Sequence, residues 1–174
     1  MKNKILKGFL LLFCIVFNSC LDDTKYALDP SGTKNVIEFI DPSVPSSPFG
    51  SIYPVWTSVT EVIPEFTFEQ EISYSGPNNN DEDIVLTLAI DPIALQAYNN
   101  QMQELEGGTY ELMPDNYFAY DDFSVTIPKG QKKAKISITV FPELFDLSQN
   151  FALPLRIVSA SSGIISAHFS VAIL

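Results

Sequence analysis

A period of two constrains the fold of this chain more than any other feature. Ile84, Leu86, Leu88 and Ile90 fall on alternate positions of the run 83–90. Ile136, Ile138 and Val140 do the same within 134–141, and Phe123, Val125 and Ile127 within 123–127. Successive side chains of a strand point to opposite faces, so each run predicts a strand with one apolar face. Such faces must be covered, and a second sheet is the simplest cover.

Other segments extend the pattern. Val36–Ile40 is an expected first strand, and residues 41–50, with three prolines, three serines and a glycine, are an expected loop. Phe66, Phe68 and Ile72–Tyr74 lie in a further β-rich run, and 151–158 and 164–174 supply two more strands. Pro128-Lys129-Gly130-Gln131 predicts a turn with glycine where φ must be positive. One helix interrupts: Asp91 can cap it, Pro92 suits its first position, and Leu95, Tyr98, Met102 and Leu105 form one stripe before Gly107-Gly108. About seven short strands with regular turns predict an all-β, Ig-like β-sandwich with one short helix.

The N-terminus is different. Lys2, Lys4 and Lys7 precede an apolar run from Phe9 to Phe17, then Asn18-Ser19-Cys20. A cationic start, a short apolar core and a small residue before a cleavage point make a secretory signal. The run is too short to span a bilayer. Cys20 at the cleavage point resembles the lipidated cysteine of a lipoprotein signal, and two acyl chains would anchor the mature chain. The expected organisation is a lipoprotein signal peptide at 1–19, the lipidated Cys20 and a flexible tether at 20–34, and one sandwich domain at 35–174. Asp22 and Asp23 resemble the acidic export signal of Bacteroidetes surface lipoproteins, which implies the outer face of the outer membrane.

Charge excludes some functions. Without 1–19 the chain keeps seven basic residues against 21 acidic ones, a balance of −14. No surface of that sign neutralises phosphates, so nucleic acid is excluded as a partner. Cys14 leaves with the signal and Cys20 is blocked by lipid, so the domain forms no disulfide, thiolate metal site or cysteine nucleophile.

The stretch 83–161 contains Asp91-Pro92, Tyr98-Asn99, Tyr110-Glu111-Leu112-Met113-Pro114, Tyr117, Ile127-Pro128-Lys129-Gly130 and Phe151-Ala152-Leu153-Pro154-Leu155. In that order the pieces resemble the Ig-like domain of unknown function that opens many Bacteroidetes surface lipoproteins of polysaccharide-utilisation loci. The resemblance implies a β-sandwich without known catalysis. In the family a lectin-like or glycosidase domain often follows, and its function is not transferable to this domain.

Candidate chemistry is sparse. His168, the one histidine, reads as a strand residue on a polar face beside Ser170. Asn78–Asp83 is the densest run of oxygen ligands, yet it lacks EF-hand spacing and reads as a polar turn, so no metal or other cofactor is expected. Lys129, Lys132, Lys133 and Lys135 read as a solvated turn, or as a grip for an acidic partner. Among 21 acidic residues no pair stands out for glycoside hydrolysis, so no catalytic residue is named. Trp56, the one tryptophan, either fills the core or stacks on a sugar ring, and Tyr117 and Tyr120 are further candidates for ligand binding. The expectation is a non-enzymatic lipoprotein, lipid-anchored in the outer membrane and exposed at the cell surface. It would serve glycan capture or polysaccharide utilisation, with a neutral glycan or a glycan-uptake protein as partner. The alternative is a structural or adhesion module acting through a protein partner.

Overall fold

The alternating runs become strands that stack in two sheets. The computed structural model describes residues 32–41, 43–58, 61–120 and 122–174. The expected signal at 1–19, the lipidation site Cys20 and the tether as far as residue 31 lie outside the described residues.

In chain order the strands are β1 (Val36–Ile40), β2 (Phe66–Ser75), β3 (Ile84–Ile90), β4 (Glu111–Leu112), β5 (Phe118–Tyr120), β6 (Ser124–Ile127), β7 (Lys133–Val140), β8 (Phe151–Ala152), β9 (Pro154–Ala160), β10 (Ile164–Ile165) and β11 (Val171–Ile173). The helix α1 (Pro92–Glu104) follows β3. One sheet runs β10-β1-β2-β7-β5 and the other β11-β9-β3-β6, while β4 and β8 form a small parallel ribbon. Ile37, Phe39, Ile72 and Ile138 of the first sheet meet Leu86, Leu88, Leu155 and Ile157 of the second in one buried cluster. The fold is thus all-β, a sandwich with one short helix among the described residues.

The alternation read from the sequence decides which residues enter that cluster. Ile84, Leu86 and Leu88 are buried, as are Val125, Ile127, Ile136, Ile138 and Val140. The β6–β7 turn holds Gly130 at φ 76°, and its N–H bonds to Asn80 O at 3.0 Å. The helix covers the other face of the second sheet: Ala94, Leu95, Tyr98 and Met102 pack on Val171 and Ile173. Ala172 between them faces the interior cluster, so all three residues of β11 are buried.

Two expectations change. Leu105 does not join the apolar stripe: it is the helix C-cap and is 52% exposed. The left-handed turn that ends the helix falls on Glu106 (φ 54°), and Gly107 closes it by donating its N–H to Met102 O at 2.8 Å. Closure needs no side chain at 107, because a Cβ there would meet Met102 Sδ at 3.0 Å. The run 164–174 is not one strand. Ile164 and Ile165 pair parallel with Val36 and Ile37 of the first sheet, whereas Val171–Ile173 pair with Pro154–Arg156 of the second. Residues 166–169 carry the chain between sheets, so the alternation through His168 is broken and His168 and Phe169 lie exposed.

Asp91 joins sheet to helix. Its carboxylate accepts from Ala94 N at 3.0 Å as an N-cap and also from Arg156 Nε of β9. Burial alone would raise its pKa, but the bond from Arg156 and the N–H of Ala94 outweigh that and hold it below the usual carboxylate range. A carboxyl depressed in the folded state stabilises above its unfolded pKa and loses that contribution as pH falls through the folded value. Asp91→Ala should therefore cost about 1–2 kcal/mol at pH 7. The gap to wild type should shrink below about pH 4. Urea unfolding at both pH values checks this; an equal gap at both would remove the ion pair from the account.

Candidate functional site

The three aromatic candidates land in different surroundings. Trp56 is only 7% exposed and belongs to the core cluster, so its ring offers no free face for stacking at the surface. Its backbone N–H bonds to Ile173 O at 2.9 Å, which fixes the loop after 43 against the last strand. The indole Nε1 is buried, with no hydrogen-bond partner among the described residues. Tyr117 is half-buried at the end of a 3-10 turn, with its ring stacked on Phe145 and edge-on to Phe151, each at 5.2 Å. Tyr120 is 38% exposed and stacks on Phe123 at 3.7 Å. Trp56 and Tyr117 meet through shared neighbours; Tyr120 belongs to a separate stack with Phe118 and Phe123.

Those shared neighbours wall a cavity of about 170 Å³. Phe66 and Phe68 reach it from β2, Val140 from β7, Phe151 from β8, and Phe145 and Tyr110 from loops. Trp56 closes it on the side of β11, and Asp41, Thr57, Glu69 and Gln70 add polar groups. Gln70 is buried and already donates to Ile40 O at 2.6 Å. Asp41 accepts from Ser43 N at 2.7 Å, and Glu69 pairs with Lys135 at 2.6 Å. Sequence reading missed Phe66, Phe68, Tyr110, Phe145 and Phe151 as a group, since each is unremarkable in its own segment and only the sandwich brings them together.

A second feature is an apolar ledge. Val44, Phe49, Ile52 and Phe169 are exposed and border one groove with Tyr53 and His168. Gln101 of α1 clamps this loop, its amide accepting from Ile52 N at 2.7 Å and donating to Gly50 O at 3.1 Å. The sequence did carry a signal for it: no charged residue occurs from 43 to 58 in an otherwise acidic chain.

The remaining candidates are occupied with structure. Asn78 and Asn80 tie the β2–β3 loop to its neighbours: Asn78 N donates to Asn35 Oδ1 at 3.0 Å, and Asn80 Nδ2 to Pro128 O at 2.8 Å. Asp83 accepts from Lys129 N at 2.7 Å. The lysines do not form one turn. Lys133 and Lys135 lie in β7 and pair with Glu71 and Glu69 of β2, while Lys132 bonds to Asn78 O and sits 5.1 Å over the Tyr74 ring. Among the described residues no three His, Cys, Asp or Glu side chains group as a metal site would require. Among those residues, too, no helix is long and apolar enough to cross a membrane.

Residues 49–164 match the model of an N-terminal-domain family, described as "-like, N-terminal domain". The chain belongs to this family. The relation read from residues 83–161 therefore holds. Comparison with curated proteins found no match. Among solved structures, a multidomain Bacteroides ovatus protein that includes DUF1735 is 21% identical with a TM-score of 0.62, over 79% of this chain and 43% of its own. A candidate carbohydrate-binding protein of Bacteroides ovatus is 18% identical with a TM-score of 0.56, over 72% of this chain and 34% of its own. EndoBT-3987 of Bacteroides thetaiotaomicron, solved with a Man5GlcNAc product, is 18% identical with a TM-score of 0.52, over 70% and 28%. These likenesses establish a shared fold, and the chain spans less than half the length of each of these proteins.

Proposed function

We propose that this protein is a non-enzymatic, lipid-anchored module of the cell surface that assists glycan capture. The observation that carries the reading is the aromatic-walled cavity between the ends of the two sheets. Aromatic faces attract the axial C–H groups of sugar rings, and few other features of a strongly acidic domain offer a neutral ligand anything. The carbohydrate named for two of the structural relatives supports the same direction. Anchoring would come from Cys20, and surface display of many copies would raise weak single contacts by avidity.

Two measurements test it. Cys20→Ser should leave an unprocessed or soluble chain, while wild type partitions into the detergent phase; equal partitioning refutes the anchor. Titration of the chain, held in a detergent without a sugar head, against neutral polysaccharides should give binding of roughly 0.1–1 mM, as few contacts must offset the lost freedom of the glycan. The apolar ledge favours a second reading, a module that works through a protein partner, because exposed apolar patches mark such surfaces. Failure of wild type to bind any glycan moves the conclusion there.

A further inference from the structure

Along β7 the edge of the first sheet is only partly covered. Tyr74 N donates to Lys132 O at 2.8 Å, and the register runs unbroken from Ser73 opposite Lys133 to Phe66 opposite Val140. Bonded and non-bonded pairs alternate along an antiparallel ladder, so the even-numbered residues of β7 bond to β2. The odd-numbered residues turn N–H and C=O the other way. β5 meets them at one end only: it pairs with Ile138–Val140, and Phe141 N donates to Tyr117 O at 2.9 Å. β5 stops at Tyr120, opposite Ile138, and the next strand, β6, belongs to the other sheet. Among the described residues nothing pairs with the outward backbone of Lys133 and Lys135.

The facing edge of the second sheet is bare too. Leu88 N donates to Phe123 O at 2.7 Å, so Val125 and Ile127 bond to β3 and Thr126 turns both backbone groups away. Ser124 N is met by Asp122 Oδ1 at 3.1 Å. Between the two edges lies a groove of about 510 Å³, with Val125, Ala134 and Ile136 toward the interior and Ser124, Thr126, Lys133 and Lys135 exposed.

We infer that this groove takes an extended, acidic segment of a partner protein, added beside β7 in the lane that β5 leaves at Tyr120. The inference is independent of the glycan reading and uses a different surface from the apolar ledge.

The backbone sets the form of the ligand. A row of unpaired N–H and C=O groups at a sheet edge is a template for another strand. Alternate residues of that strand would turn inward over Ala134 and Ile136, where small apolar groups fit, and outward beside Lys133 and Lys135.

Charge sets the partner. Four of the ten basic residues fall between 129 and 135, in a chain of net charge −11. Lys133 and Lys135 already pair with Glu71 and Glu69 of β2, and Asp122 borders the groove. Both pairs are exposed, so they hold the lysines weakly. Residues opposite one another on adjacent strands lie about 5 Å apart. Glu69 and Glu71 would stand one strand further off, at about 10 Å. That is beyond the screening length of about 8 Å. The added residues therefore meet lysine first, and acidic ones are favoured. A second copy is disfavoured, because pairing edge to edge would set lysine against lysine.

The full chain in detergent is titrated with a capped peptide alternating Glu and Val, and amide exchange is followed by NMR. The amides of Lys133 and Lys135 should exchange fast in the free protein. At nine-tenths occupancy they should slow about tenfold, since only the free fraction exchanges. A peptide alternating Lys and Val should give no protection at the same millimolar concentration, and neither should the Glu–Val peptide with N-methylated amides. Lys133→Glu combined with Lys135→Glu should abolish protection by the Glu–Val peptide. If that variant melts lower, the N-methylated peptide carries the test. No protection by the Glu–Val peptide at millimolar concentration overturns the inference. Protection that survives N-methylation overturns strand addition, and equal protection by the Lys–Val peptide overturns the acidic partner. Slow exchange in the free protein that quickens on dilution means that a second copy holds the edge, and overturns the inference as well.

Discussion

Gly76→Ala should destabilise the domain by about 3–5 kcal/mol, the sum of left-handed strain and lost buried hydrogen bonds. Gly76 ends the β2 hairpin arm at φ 143°, where a side chain is strained whatever the space. Space is also lacking: an added Cβ would lie 2.3 Å from Asn35 Oδ1 and 3.0 Å from Asn35 Cα. The amide it strikes is fully buried and grips Asn78 twice, donating to its O at 2.6 Å and accepting from its N at 3.0 Å. Asn35 O in turn takes the N–H of Ile164, which starts β10. The methyl can be housed only if that amide swings away and leaves buried partners unpaired. Gly108→Ala is the control, with nothing within 4 Å of the added carbon. Denaturant unfolding measures both, and a Gly76→Ala loss below about 1 kcal/mol would show that the Asn35 contact yields at little cost.

Leu86→Ala should cost about 2–5 kcal/mol. Leu86 is 0% exposed at the centre of the second sheet, paired with Val125 on one side and Ala160 on the other, and it faces the first sheet. Strands on both sides hold the backbone in place, so the structure has little freedom to close over the missing atoms. The domain lacks disulfides to share the load. Leu147→Ala, at a site 76% exposed, should stay within about 0.5 kcal/mol. Similar losses at both positions would mean that the interior repacks freely.

What the sequence revealed follows from how far each signal reaches. Val36–Ile40 and the runs through Leu86 and Ile138 were legible because alternation is a local property of consecutive residues. The cap at Asp91 and the turn at Gly130 were legible for the same reason. The run 164–174 misled because its apolar residues continue while their partner sheet changes, and no residue between Ser166 and Phe169 is a proline or glycine to mark the switch. Leu105 has the right spacing for the stripe but falls one residue beyond the helix, where the face turns outward. Trp56 could be read as core or surface until its hydrogen bond to Ile173 placed it under the last strand. The cavity was beyond reach altogether, because its aromatic residues come from Trp56 to Phe151 and share no local pattern.

Residues 164–174 stitch both layers, and this sets an order in time among the strands. Ile164 and Ile165 complete one edge beside β1, and Val171–Ile173 complete the other sheet and carry the loop of Val55 and Trp56. Leu174 and Leu153 exchange backbone bonds at the very end. A chain made from its N-terminus therefore waits for residues 164–174 before either layer can close. Pairings this distant in sequence form slowly, because the loop they close must be ordered before any contact rewards it. In the interval β1 is already made and finds no partner for its outer edge.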